Sequence, residues 1–307
     1  MLDRFPEDDE CEQRAYAREW SRNARRRASA PRVEELEAPQ PPFEISYRAS
    51  RWERAWLQHS LQPFFDQGYL ADVVSQVRGG KEANVYCCYG APGVGMPLVA
   101  AKVYRPRMFR NLRNDRMYRE GRTILTADGK GVKRSDHRIM RALGKKTEYG
   151  AQVQHTSWLM HEFATLTQFR AAGGSVPAPL AAGENAILMS YLGLEECAAP
   201  ALHEVSLAED EARRLYAEVL RNVELLLSLG LIHGDLSAFN LLYWHGDVSL
   251  IDFPQVVPAA TNPYAEGILR RDVLRVCEYF ARQGVSCDPE AEFVRLWEGI
   301  HGDTETI

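Results

Sequence analysis

No stretch of this chain approaches the ~20 apolar residues needed to cross a bilayer. The longest apolar run, residues 225–232, is interrupted by Ser228 and Gly230, and no membrane partner is expected. Cysteine is sparse. The six present (Cys11, Cys87, Cys88, Cys197, Cys277, Cys287) form no C-x-x-C pair and no zinc-ligand spacing. They read as free thiols in a reducing compartment. The opening residues Met1 to Pro6 carry no apolar signal segment, so a cytoplasmic location is expected. Internal repeats are also lacking, which argues against a solenoid or propeller. What remains is ordinary soluble composition, 45% hydrophobic and 26% charged. A length of 307 residues suffices for one two-lobed domain or two small ones.

Charge is unevenly spread. The net charge is -5, yet Arg105 to Lys146 holds fourteen Lys/Arg against four Asp/Glu, a local +10 that leaves about -15 for the remainder. Such a segment reads either as a basic face for RNA, a ribosome or another acidic partner, or as a solvated loop. Residues 1–45 mix charge clusters with Pro39-Gln40-Pro41-Pro42 and are expected to form a disordered arm. Trp52, Trp56, Leu57, Leu61 and Phe64 recur at helical intervals, predicting an amphipathic helix over 51–65. Strand-like runs follow at 72–77, 83–89 and 98–104, then the basic insert 105–150 and a helix over 157–171. A further strand is expected at 186–191. Ser206 to Glu209 has the form of a capping box opening a long helix to about Ser228. Two short strands (241–244, 248–251) and helices near 265–283 and 288–300 complete the reading. The expected organisation is an N-lobe over 46–192 and a C-lobe over 193–307.

The chemistry concentrates in His233-Gly234-Asp235-Leu236-Ser237-Ala238-Phe239-Asn240 and Leu250-Ile251-Asp252-Phe253. Asp235 can accept the proton of an incoming hydroxyl, while Asn240 and Asp252 can hold magnesium beside a transferring phosphoryl group. Earlier, Arg78-Gly79-Gly80-Lys81-Glu82 lies between two strands, where glycine lets backbone N–H groups approach phosphate. Lys102 ends an apolar strand and must place its ammonium in a polar site; the alternative is an edge lysine that blocks aggregation. Glu162, on the next long helix, is its candidate partner. His233 reads as a packed residue rather than a base.

Gly80-Lys81-Glu82-Ala83-Asn84-Val85-Tyr86, taken with His233-x-Asp235-Leu236-Ser237-x-Phe239-Asn240 and Ile251-Asp252, resembles the RIO family of atypical serine/threonine protein kinases. The likeness runs from about residue 52 to 297, and the long Arg-rich insert suggests a bacterial-type branch. The resemblance implies an α+β, bilobal protein-kinase-like fold with a small β-rich N-lobe and a helical C-lobe. It implies ATP and Mg2+ as cofactors, with Mn2+ an alternative, and transfer of the γ-phosphoryl to a protein hydroxyl or to the enzyme itself. Gly80, Lys81 and Glu82 would belong to the phosphate loop. Lys102, Ser190 and Leu192 would contact ATP, the last two through backbone, and Glu162 would hold Lys102. Asp235 would be catalytic, and Asn240 and Asp252 metal ligands. Asp252 would also be a candidate transient phosphoryl acceptor. The chain departs from the family in Arg78-Gly79, where Ser-Thr is more usual. Asp252-Phe253-Pro254 lacks the glycine of ordinary kinases, and no Ala-Pro-Glu follows. Reduced activation and peptide-docking segments are therefore expected.

Two other readings use the same residues. One is a nucleotide-switched ribosome-assembly or RNA-associated factor acting mainly as an ATPase, motivated by the 105–146 charge. The other is a small-molecule phosphotransferase, against which the Gly80–Tyr86 heptapeptide and the modest C-terminal half argue.

Overall fold

The computed structural model describes Phe43 and residues 45–105, 116–119, 122–126, 129–133, 135–145 and 147–302. The N-terminal arm thus falls almost wholly outside the described residues, as do Arg110 and Arg113 of the basic insert. The first described helix, α1 (Arg51–Asp66), starts where the Ser50 side chain accepts from Glu53 N–H. It buries Leu57, Leu61 and Phe64, whereas Trp52 of the expected apolar stripe is exposed.

Those side chains pack on a five-stranded antiparallel sheet of order β1-β2-β3-β5-β4. Its strands are β1 (Leu70–Gly79), β2 (Ala83–Gly90), β3 (Leu98–Tyr104), β4 (Pro179–Ala182) and β5 (Ala186–Ser190). Val73, Tyr86, Val99, Ala101 and Leu188 fill the interface with α1. Strand β4 is short and begins at proline, so it escapes period-based reading. The β1–β2 turn needs glycine at position 80, since a Cβ there would sit 2.7 Å from the Ala83 carbonyl oxygen.

Within the insert lie α2 (Arg116–Arg119) and α3 (His137–Gly144). Helix α4 (Glu148–Ala171) is longer than the predicted 157–171. Gly150 does not break it. A Cβ at Gly150 would collide with the Ala142 carbonyl oxygen, so this glycine lets α3 and α4 close on each other.

The C-terminal half carries the larger core, where Leu215, Val219, Leu226, Phe253, Leu269 and Phe280 meet. Its long helix α5 (Glu209–Ser228) begins at Ala208 without a side-chain cap. The Ser206–Glu209 capping box is thus not formed; Glu209, Asp210 and Glu211 in the first turn meet the positive helix end instead. The hairpin β6 (Gly193–Leu194) and β7 (Cys197–Ala198) precedes α5. After it, β8 (Leu231–Ile232) pairs with β11 (Val257–Pro258), and β9 (Leu241–Trp244) with β10 (Asp247–Leu250). Helices α6 (Ala265–Arg282) and α7 (Pro289–Gly302) close the fold. A β-rich lobe and a helical lobe thus meet as a kinase-like bilobal arrangement. Among the described residues no helix is long and apolar enough to cross a membrane.

Candidate active site

Lys102 lies in β3 between Val85 of β2 and Ile187 of β5. Its ammonium is 2.5 Å from Glu162 Oε1 of α4 and 2.6 Å from Asp252 Oδ1, which follows β10. The second Glu162 oxygen accepts from the Tyr104 hydroxyl. Glu162 is 1% exposed, and the Asp252 side chain 43% exposed. Burial pushes the Lys102 pKa down, but the Asp252 and Glu162 carboxylates more than reverse this and hold it above the ordinary lysine value. For Asp252, burial pushes the carboxyl up and the Lys102 charge and hydrogen bond outweigh it, leaving the pKa below the ordinary range. Lys102 and Asp252 are therefore both charged at neutral pH.

The loop before β9 supplies Asp235 and Asn240. Asn240 Nδ2 donates to the Asp235 carbonyl at 2.8 Å and to its Oδ2 at 3.3 Å, which turns Asn240 Oδ1 away from Asp235. Neither Asn240 Oδ1 nor Asp252 Oδ2 has a protein partner among the described residues. Two such hard oxygens suit a magnesium-class ion, which takes one or two protein oxygens and fills its shell with phosphate and water. Among the described residues no group of three or more His, Cys, Asp or Glu could hold a metal, which disfavours an all-protein cage. Asp252 has φ 70°, a left-handed conformation uncommon outside glycine and stored at functional turns.

His233 is 2% exposed and packs against Phe253 with ring centroids 4.7 Å apart. Its Nε2 meets the Ile251 carbonyl at 3.2 Å, and Asp235 N–H donates to Nδ1 at 3.3 Å. Nε2 therefore carries the proton. Burial lowers the His233 pKa to about 4, so the ring is neutral and structural, as its sequence context suggested.

The remaining expected site residues are placed less directly. Gly80 N–H lies 3.4 Å from Asn84 Oδ1, Lys81 is exposed, and the Glu82 carbonyl accepts from Arg105 N–H. Among the described residues, neither Gly80 nor Lys81 hydrogen-bonds to Lys102 or Asp235. Ser190 exchanges hydrogen bonds of 2.8 Å with Ala178, its N–H to the Ala178 carbonyl and its Oγ from the Ala178 N–H. The Leu192 carbonyl accepts from Ala199 N–H, whereas its own N–H has no partner among the described residues.

Several residues here were not anticipated. Helix α6 grips the His233–Asn240 loop: Asp272 accepts Gly234 N–H at 2.8 Å, and Arg271 donates to the Gly234 carbonyl. Burial raises the Asp272 carboxyl to about 7 against the pull of Arg271 and the Gly234 and Leu236 amides. Gly234, at φ 87°, leaves no room for a Cβ against the Gln255 carbonyl. One turn on from Arg271, Arg275 Nη1 reaches Asp235 Oδ1 at 2.8 Å. A carboxylate on the apolar stripe of α6 (Leu269, Asp272, Val273, Val276) was a readable signal for Asp272. Tyr104 and Arg275 gave none. The basic insert also behaves unexpectedly. Arg122 donates to the Pro254 carbonyl at 2.8 Å and to that of Val256, while Asn262 Nδ2 donates to the Met117 carbonyl at 2.7 Å. Part of the insert therefore packs on the C-lobe beside Asp252, and the Arg122 charge is directed at backbone carbonyls.

The RIO domain family matches residues 99–293, which contain Lys102, Glu162, Asp235, Asn240 and Asp252. The RIO-type serine/threonine-protein kinase Rio1 of Haloferax volcanii is 32% identical over 248 residues, 80% of this chain and 76% of that protein. The serine/threonine-protein kinase RIO1 of Homo sapiens is 27% identical over 243 residues, and the match spans 76% of this chain but 39% of that protein. The RIO-type serine/threonine-protein kinase Rio2 of Methanocaldococcus jannaschii is 32% identical over 180 residues, 55% of this chain and 66% of that protein. The chain spans about two fifths of the human relative and of the Schizosaccharomyces pombe one, of which 42% is covered. With its family match covering more than half of its length, this chain belongs to the RIO family of serine/threonine-protein kinases.

Proposed function

We propose that this protein transfers the γ-phosphoryl of ATP to a serine or threonine hydroxyl of a protein, its own chain included, with Mg2+ as the working ion. The observation that carries this reading is the Lys102 ammonium shared between Glu162 and Asp252, 60 and 150 positions away in the chain. Lys102 binds the α- and β-phosphates. The Leu192 N–H faces the base of the nucleotide, and Gly80 to Glu82 cover its phosphates. Asp235 orients the acceptor hydroxyl and takes its proton as the new O–P bond forms and the bond to ADP breaks. Asn240 and Asp252 would hold the metal, which when bound would supply positive charge to the phosphoryl oxygens.

The test is incubation with γ-labelled ATP and magnesium, reading self-labelling, transfer to added protein and free phosphate. Lys102→Ala should weaken ATP binding, and Asp235→Ala should abolish transfer. Full transfer by purified Asp235→Ala protein would refute its role as the base. Label that survives acid is on Ser or Thr; label lost in acid as well as in base, and released by hydroxylamine, points to Asp252. The +10 charge of residues 105–146 favours an additional contact with RNA or a ribosome. That contact should weaken steeply with salt and on replacing Arg110, Arg113, Arg116 and Arg119 together; unchanged association would remove it.

A further inference from the structure

Transfer of a phosphoryl group to a hydroxyl brings negative charge toward the base that receives the proton. The catalytic loop supplies no cation there: Leu236-Ser237-Ala238-Phe239 is neutral throughout. Lys102, the nearby lysine of the N-lobe, is committed to Glu162 and Asp252. The one cation in contact with the Asp235 carboxylate among the described residues is Arg275 of α6, with Nη1 2.8 Å from Oδ1. The other oxygen, Oδ2, lies 3.3 Å from Asn240 Nδ2. The carboxylate is therefore pinned from two sides, one contact per oxygen. It has about four lone-pair sites, so these contacts leave acceptor capacity for a substrate hydroxyl.

Arg275 is itself held in register. It lies one helical turn from Arg271, which donates to the Gly234 carbonyl, and three positions from Asp272, which accepts the Gly234 N–H. Three side chains on one face of α6 thus address the loop at successive points: carbonyl, amide and catalytic carboxylate. The Arg275 side chain is 40% exposed and that of Asp235 is 36% exposed, so this ion pair stands at the open mouth of the site. An exposed ion pair contributes little to stability. Its position on the base makes catalysis the more sensitive readout.

We propose that Arg275 is a positioning residue for the phosphoryl-transfer step, fixing the Asp235 carboxylate toward the acceptor hydroxyl and placing beside it the positive charge that the loop lacks. This rests on the kinase reading above. The full chain with Arg275→Gln should lose about tenfold to a hundredfold in kcat, the range set by losing one charged hydrogen bond. KM for ATP should stay within about twofold, because Arg275 lies on the acceptor side of the site. Arg275→Lys, which keeps the charge, should recover most of the loss. Urea midpoints and ATP affinity of both variants should match the parent protein, showing that the fold is intact. Unchanged kcat in Arg275→Gln would overturn the proposal. Equal impairment of the Gln and Lys variants would also overturn it, since packing rather than charge would then be responsible. No turnover by the parent protein would instead overturn the kinase reading, and this inference with it.

Discussion

Replacing Glu162 by Gln tests the centre of the site with little change of shape. Glu162 is 1% exposed; one oxygen meets Lys102 at 2.5 Å and the other accepts from the Tyr104 hydroxyl. Gln keeps one acceptor oxygen, and its amide N–H can donate to the tyrosine oxygen, so no buried polar atom need be orphaned. What disappears is the charge. Breaking a buried ion pair outright costs about 3–5 kcal/mol, but Lys102 retains Asp252 at 2.6 Å. The expected loss is therefore that of a charge-assisted bond becoming neutral, about 1–2 kcal/mol. Function should suffer similarly. With one carboxylate gone, Lys102 is drawn toward Asp252 and away from the phosphates, so KM for ATP should rise about tenfold, equivalent to ~1.4 kcal/mol. Urea unfolding gives the first quantity, and initial rates over an ATP series give the second. A stability change below about 0.5 kcal/mol together with an unchanged KM would refute the assigned role of Glu162, because neither part of the argument would then hold.

Two further outcomes follow from buried groups around the catalytic loop. The His233 pKa is held at about 4 in the fold against 6.5 ordinarily, so the unfolded chain binds the extra proton between these values. Its stabilising contribution is full above the ordinary value and is lost as pH falls toward 4, ~3 kcal/mol in all; His233→Gln should flatten that part of the acid limb in urea midpoints, and an unchanged limb would exclude this assignment. Asp272→Asn keeps one acceptor but cannot serve Gly234, Leu236 and Arg271 together, so it should lower stability by about 1–3 kcal/mol and reduce kcat; full stability and rate would show that the loop is held by other contacts.

The legible and illegible parts of this molecule differ in the distance over which their information is written. Lys102, Asp235, Asn240 and Asp252 each sit within a few residues of a distinctive local pattern, and the chain order of those patterns is that of a two-lobed phosphotransferase. The strands carrying Lys102 and its neighbours were readable because the sheet buries alternating or continuous apolar runs. By contrast, the Ser206–Glu209 pattern satisfied a capping rule that the backbone does not use, since the helix begins later, at Ala208. Gly150 serves a close approach of α3 to α4, which is a tertiary fact.

Helix α6 shows the same contrast, since its local pattern predicts a helix and nothing more. Ile268, Leu269, Val273 and Val276 announce its buried face, and Asp272 on that face should have stood out, because a buried carboxylate demands donors. Arg271 and Arg275 look like ordinary surface charges until the catalytic loop is laid across them, 37 and 40 positions earlier in the chain. The insert is a parallel case. Its composition reads as a basic face, but Arg122 is directed at the Pro254 and Val256 carbonyls, more than 130 positions away. An arginine bound to backbone carbonyls fixes a loop rather than attracting a polyanion. The 105–146 charge therefore overstates what the described part of the insert can offer to nucleic acid. Any such contact must draw on arginines other than Arg122, and this is why its test replaces Arg110, Arg113, Arg116 and Arg119 and leaves Arg122 in place.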